Sequence, residues 1–326
     1  MKYIDLHADT ILNLLQKGED ANLKNLDGAS IDFDKLREGK NLAQCFAVWL
    51  PDGTDLGIEV ENKFSPKTHE EDMDYIRLSR DRLFKEVENN KSIIDLADNK
   101  EQILLNESLG KQSAILTMED GRAVDGKMEN LRLFREMGFR MMAILWNKAN
   151  CFGFPSVKDK KENQRGLTNF GKEAIPYMEE LGIIVDVSHL SDGGIQDVLD
   201  LSTKPIVASH SNAKAICNHQ RNLKDEYIKG IAESGGVIGL CFSPRFLRED
   251  GDGSRIEDMI KHLNHIYDVG GQDVLAIGTD FDGTWGEFDI ENASQMQKLF
   301  SALEAAKWPI SRIESLAYKN ALRVFE

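Results

Sequence analysis

The strongest constraint on the fold is an alternation: short apolar runs recur along the whole chain, with stretches of helical periodicity between them. Eight runs read as strands, at Lys2–His7, Ala43–Leu50, Ser113–Met118, Arg140–Trp146, Ile183–Ser188, Pro205–Ser209, Gly236–Phe242 and Val274–Thr279. Several (AILTM, IIVDV, VIGLCF) are apolar at consecutive positions. Such strands need cover on both faces, which parallel strands joined by crossover helices receive. Helices are predicted at Glu129–Gly138, where Leu131, Phe134 and Met137 share one stripe, and at Thr168–Gly182, with a Thr cap and a glycine stop. Asn222–Gly235 and Glu257–Gly270 repeat the scheme.

Eight strand–helix units predict an α/β fold, a (β/α)8 TIM barrel, and 326 residues is an ordinary length for one. No Pro/Ser-rich or Gly/Ser-rich linker interrupts the chain, so residues 1–326 are expected to form one catalytic domain. The stretch from about 51 to 100 is longer than a crossover needs and rich in Glu, Lys and Asp. It reads as an inserted loop followed by a long exposed helix near Thr68–Asn89.

Net charge is −15, which disfavours nucleic-acid and membrane-surface partners, since both are polyanionic. The four cysteines (Cys45, Cys151, Cys217, Cys241) are scattered without a CxxC pair, so neither a disulfide framework nor a cysteine zinc site is expected. MKYIDLHADT enters a strand directly and no apolar run approaches 18 residues, which predicts a cytoplasmic protein.

Polar residues gather at the C-terminal ends of the predicted strands, where barrel enzymes carry their active sites. The first strand ends in His7-Ala8-Asp9, the third in Glu119, the fifth in His189, the sixth in His210 and the eighth in Asp280. Each has a bland reading taken singly: a surface turn, a solvated glutamate, a rim histidine, a turn aspartate. His7 and Asp9, two apart on a strand, project to one face and can share an ion. His189 and His210 end consecutive strands, close enough for both imidazoles to ligate one zinc. Glu119 can bridge two metals through its two oxygens. Three histidines, two aspartates and a glutamate converging on one mouth make a two-metal site the economical reading, with a bridging hydroxide as nucleophile. Asp282 suits a turn role better than Asp280. His69, His262 and His265 read as structural or solvated, and His219, beside Arg221, as a residue behind the site.

These residues lie in an ordered set of motifs: DLHADT, MED, RGLTNFGKEAI, LGIIVDVSHLS, PIVASHSNAKAI, HQRNLKDE, GGVIGLCFSP and IGTDFDG. Together they resemble the membrane (renal) dipeptidase family over nearly the whole chain. The resemblance implies a metal-dependent hydrolase barrel with two zinc ions per chain, usually a homodimer, that cleaves dipeptides and often accepts a D-residue at the C-terminal position. By that likeness His7 and Asp9 bind one zinc and His189 and His210 the other, with Glu119 between them. Asp280 handles the proton of the bridging water, and Arg221 holds the substrate's terminal carboxylate. The family places a substrate-contacting histidine after the fourth strand; here Trp146 or Asn147 stands in that place, and Asn147 can donate a hydrogen bond to a carbonyl oxygen. The alternatives are another small-amide or N-acyl amino acid hydrolase on the same metals, or a catalytically silent ligand-binding barrel.

Overall fold

The computed structural model describes residues 1–51 and 65–326. The loop expected at the start of the 51–100 stretch falls mostly outside the described residues. Among the described residues nine parallel strands are present: β1 Tyr3–Asp5, β2 Asn41–Trp49, β3 Ile94–Leu96, β4 Gln112–Glu119, β5 Met141–Ala143, β6 Ile184–Asp186, β7 Val207–Ala208, β8 Val237–Leu240 and β9 Leu275–Ile277. Eight of them close a ring in the order β2-β1-β9-β8-β7-β6-β5-β4, and β2 pairs back onto β4 from Ala43↔Ser113 to Trp49↔Glu119. Helices interleave with these strands, so the expected (β/α)8 barrel is the observed one.

The ninth strand was not expected. β3 pairs with the lower part of β4 (Ile94↔Gln112 to Leu96↔Ala114), while β5 takes the upper part (Thr117↔Met141 to Glu119↔Ala143). β4 is long enough for β3 and β5 to share it in tandem.

The helix before β3, His69–Asn89, starts where the sequence places it, with Thr68 capping the backbone N–H of Glu71. It is not simply exposed. Met73, Tyr75, Ile76, Leu83 and Val87 are buried, as are Asp72, Arg82 and Glu86, which hold partners: Arg122 bonds Asp72 at 2.7 Å and Arg82 lies 3.3 Å from Glu86. The helix Asn169–Leu181 is capped by Thr168 and stopped at Gly182, whose φ of 75° suits a residue without Cβ. Its buried Ala174, Ile175 and Met178 join Leu131 and Phe134 of the helix Met128–Glu136 in one cluster with Leu116 and Met118 of β4. Thr117 and Glu119 alternate with Leu116 and Met118 along β4, which leaves Glu119 on the opposite face, at the strand's end. No helix among the described residues is long and apolar enough to cross a membrane.

Candidate metal centre and active site

All six residues singled out at the strand ends are buried and meet at one mouth. Glu119 stands in the middle with its oxygens divided. Oε2 lies 3.5 Å from His7 Nε2, whereas Oε1 lies 2.9 Å from His189 Nε2 and 3.5 Å from His210 Nε2. His7 Nε2 is also 3.4 Å from Asp9 Oδ2 and 4.0 Å from Asp280 Oδ1. Two overlapping donor groups result, one of His7, Glu119 and His210 and one of His7, Asp9 and Asp280.

Hydrogen bonding decides which ring nitrogens face inward with lone pairs. His189 Nδ1 lies 3.2 Å from the amide oxygen of Asn147, an acceptor, so Nδ1 carries the proton. His210 Nδ1 lies 2.8 Å from Ser209 Oγ, whose own proton goes to Asp186. That ring is therefore protonated at Nδ1 as well. Both Nε2 atoms then present lone pairs 3.0 Å apart, beside a carboxylate oxygen. Three acceptors facing one another without a donor repel, and a cation resolves the conflict. His7 Nε2 and Asp9 Oδ1 add two more buried atoms without a hydrogen-bond partner among the described residues. The residues present fit a divalent metal.

The electrostatics agree. Burial, helped by Arg221 and His7, pushes His189 well below the usual histidine range, and burial with His7 and Arg221 does the same to His210. Burial also opposes the charged form of His7, but Asp9 and Glu119 outweigh it and raise that ring well above 6.5. Burial and Asp9 push Glu119 up to about 8 against the pull of His7. Burial raises Asp280 to about 7, with His7 pulling down and Asp9 pushing up. Asp9, Glu119 and Asp280 crowd negative charge that a cation relieves.

Two buried aspartates that sequence reasoning passed over hold the site from below. Asp5 Oδ1 accepts the backbone N–H groups of Thr279 (2.9 Å) and His7 (3.3 Å), and Oδ2 accepts the Thr279 hydroxyl (2.7 Å). Asp186 repeats the arrangement with the N–H groups of Ser188 (2.9 Å) and Ser209 (3.0 Å) and the Ser209 hydroxyl. Each therefore clamps two neighbouring strand ends, β1 to β9 and β6 to β7. The available signal was a charged residue inside an apolar strand, in YIDLH and IIVDVSH. His189 (φ 69°) and Asp280 (φ 62°) sit in the left-handed region, strain of the kind that collects at functional sites. At Gly283 a Cβ would fall on the carboxylates of both Asp9 and Asp280, so only glycine leaves that space open. Asp282 takes the turn role: it accepts the Thr10 hydroxyl (2.6 Å) and the N–H of Ser30 (2.7 Å).

A cleft of about 250 Å³ opens above these groups. Leu12, Trp49 and Trp146 line it, the two indoles edge to face at 5.1 Å, and so does Asn147. Arg221, His219 and Phe246 line it too. Arg221 is buried, and its Nε and Nη2 have no hydrogen-bond partner among the described residues. Its nearest sequence acids are engaged elsewhere, Asp225 with His265 at 2.7 Å and Glu226 with Lys224 at 3.4 Å. His219 stacks on Phe246 (4.8 Å) and accepts the backbone N–H of Arg221 (3.2 Å). His262 is a buried bridge between Ala213 and Leu247, 3.0 Å to each. His69 and His265 stand on helices and are not among the residues that line the cleft.

Comparison with known proteins places this geometry. The Rhodobacter sphaeroides metallo peptidase, whose crystal structure holds a phosphinate mimic of the dipeptide L-Ala-D-Ala, superposes with a TM-score of 0.89 at 26% identity, over 100% of this chain and 98% of that one. A crystal structure described as the dipeptidase AC, a metallo peptidase, gives 0.91 at 27% identity, with 100% and 98% covered. An uncharacterized dipeptidase of Schizosaccharomyces pombe is 29% identical over 337 residues, covering 100% of this chain and 80% of that protein. Residues 1–326 match the family described as membrane dipeptidase (peptidase family M19) throughout. The chain belongs to this family of metal-dependent dipeptidases.

Proposed function

We propose that the chain hydrolyses dipeptides with two zinc ions, one held by His7 and Asp9 and one by His189 and His210, with Glu119 shared between them. The division of the Glu119 oxygens between His7 and the histidine pair carries this reading, because a carboxylate so placed serves two ions at once. The metals, when bound, supply the means to lower the pKa of a water and to polarise the substrate carbonyl.

The side chains do the rest. Asp280, 4.0 Å from His7 and raised to about 7, takes a proton from the attacking water at Oδ1 and returns it to the leaving nitrogen. Arg221, buried with free N–H groups at the cleft, pairs with the substrate's C-terminal carboxylate. A dipeptide presents that carboxylate one residue from the attacked carbonyl, as an N-acyl amino acid also does, so a substrate panel separates the two. The L-Ala-D-Ala mimic in the Rhodobacter structure supports a D-residue at the C-terminal position. Assembly as a homodimer rests on the family likeness. A cytoplasmic setting is supported by four cysteines that are all free.

The test is metal content together with a substrate panel. Purified protein is expected to hold about two equivalents of divalent metal, to lose hydrolysis on chelation and to regain it with zinc. Dipeptides are expected to be cleaved in preference to N-acyl amino acids. Activity without metal, or a preference for N-acyl amino acids, would overturn the reading.

A further inference from the structure

Beside the cleft lies a larger hollow of about 860 Å³, and His219, Gln220 and Arg245 line both. Lys158 and Lys214 stand on its walls with Arg245. Among the described residues none of these three cations lies within ion-pair distance of a carboxylate. The hollow's acids are committed elsewhere: Asp192 is 3.0 Å from Lys224, and Glu249 accepts the Asn218 N–H at 3.4 Å. In a chain of net charge −15 this is a local reversal of sign beside the mouth. His219 registers that field. Burial first, then Arg221, Lys158, Lys214 and Arg245, lower its pKa to about 4, so the ring is a neutral spacer between Arg221 and the outer cations.

The order of groups along this wall follows from Phe246. The Arg221 guanidinium stands 5.4 Å from its ring and the His219 ring 4.8 Å from it. Arg245 is the next residue in the chain. Arg221 and His219 line the cleft together and His219 and Arg245 line both cavities, so a side chain on the carbon next to a carboxylate held by Arg221 is within reach of the hollow. The aromatic wall of Trp49 and Trp146 lies by Glu119 and His189 instead, since Trp49 pairs with Glu119 in register and the Trp146 ring is 6.3 Å from His189.

We propose that the opening past His219 is a subsite for an acidic side chain, with Arg245 and Lys214 as its cationic partners. The favoured substrates are dipeptides whose C-terminal residue is glutamate or aspartate. This builds on the dipeptidase reading, because Arg221 must first fix the register. General attraction of anions is the competing account, and it predicts something different: an acidic side chain at the N-terminal position, as in Glu-Ala against Gln-Ala, would benefit as much as one at the C-terminal position.

The experiment compares kcat/KM for Ala-Glu against Ala-Gln and Ala-Asp against Ala-Asn, with the C-terminal residue in each hand, on metal-loaded full-length protein. The acidic member of each pair is expected to be favoured by about tenfold or more, through loss of a charge partner in the amide. Arg245→Gln and Lys214→Gln are expected to bring the ratio toward about one, the double variant furthest. A wild-type ratio near one, or a ratio untouched in the double variant, overturns the subsite while leaving dipeptide hydrolysis standing. Hydrolysis of none of these dipeptides overturns the dipeptidase reading and the subsite with it.

Discussion

The amide oxygen of Asn147 lies 3.2 Å from Nδ1 of His189. The residue standing where the family resemblance calls for a histidine is thus bound to the outer nitrogen of a candidate ligand, and it fixes which nitrogen of that ring faces inward. Trp146, the other occupant of that place, turns its indole to the cleft wall against Trp49.

An orienting role and a substrate-contact role for Asn147 are separable. Asn147→Ala is expected to weaken metal binding by roughly 10–100-fold, the usual effect of removing a partner of a ligating histidine. Asn147→Asp, which keeps an acceptor oxygen, is expected to retain binding. Titration against a chelator of known affinity reads this directly. Wild-type metal affinity with a raised KM would assign Asn147 to the substrate alone.

Asp280 lies with His7 and Asp9 in one donor group, so a base role and a ligand role have to be told apart. It receives a 3.4 Å contact from the Cys241 thiol and stands at the long end of the His7 contacts. Asp280→Asn keeps the shape and removes the basicity, so metal content is expected to hold while kcat falls by roughly 10²–10⁴-fold. Loss of metal in step with loss of activity would make it a ligand instead.

The bland account of Arg221, a surface ion pair with Asp225 or Glu226, is removed by the partners those two acids have. Arg221→Ala is expected to weaken transition-state binding of free dipeptides by about 2–5 kcal/mol, as for a buried charge pair cut on one side. C-terminal dipeptide amides, which lack the charge, are expected to lose far less. An unchanged ratio of dipeptide to amide hydrolysis would take the carboxylate anchor away from Arg221.

The barrel and the meeting of the six strand-end residues at one mouth were legible in the sequence. The eight barrel strands could be read because strands covered on both faces are apolar almost throughout, and the six convergent residues because each closes one of them. β3 could not be read. Ile94–Leu96 is three residues long inside a charged stretch, and only its place beside the lower part of β4 makes it a strand. The buried face of His69–Asn89 was hidden for a related reason: Asp72, Arg82 and Glu86 look like solvent-facing residues until Arg122 and the Arg82–Glu86 pair are in position. Asp5 and Asp186 were visible as oddities, but their partners Thr279 and Ser209 lie on other strands, so the clamps depend on strand neighbours that periodicity does not report.

The buried bridge at His262 predicts an acid-labile fold. Burial lowers its pKa to about 4, and the ring must stay neutral to accept the Ala213 N–H. Because the folded pKa lies below the unfolded value, protonation favours the unfolded chain. The contribution is complete above about pH 6.5 and is lost as pH falls toward 4. The gap between 6.5 and about 4 corresponds to on the order of 3 kcal/mol. Denaturant unfolding of the metal-free protein is expected to weaken from pH 7 to pH 4.5, and His262→Asn to lose much of that dependence. An equally steep profile in the variant would place the acid sensitivity elsewhere.

The two aspartate clamps also set an order of assembly. Asp186 and Ser209 are 23 residues apart, whereas Asp5 and Thr279 are separated by 274. During synthesis the β6–β7 half of the mouth can close on a nearly local loop. The β1–β9 half must wait until the last strand has left the ribosome, with the entropy of closing almost the whole chain opposing it. A growing polypeptide therefore carries the histidine pair His189 and His210 well before His7 and Asp9 meet Asp280, and the mouth is whole once the first and last strands of the barrel pair.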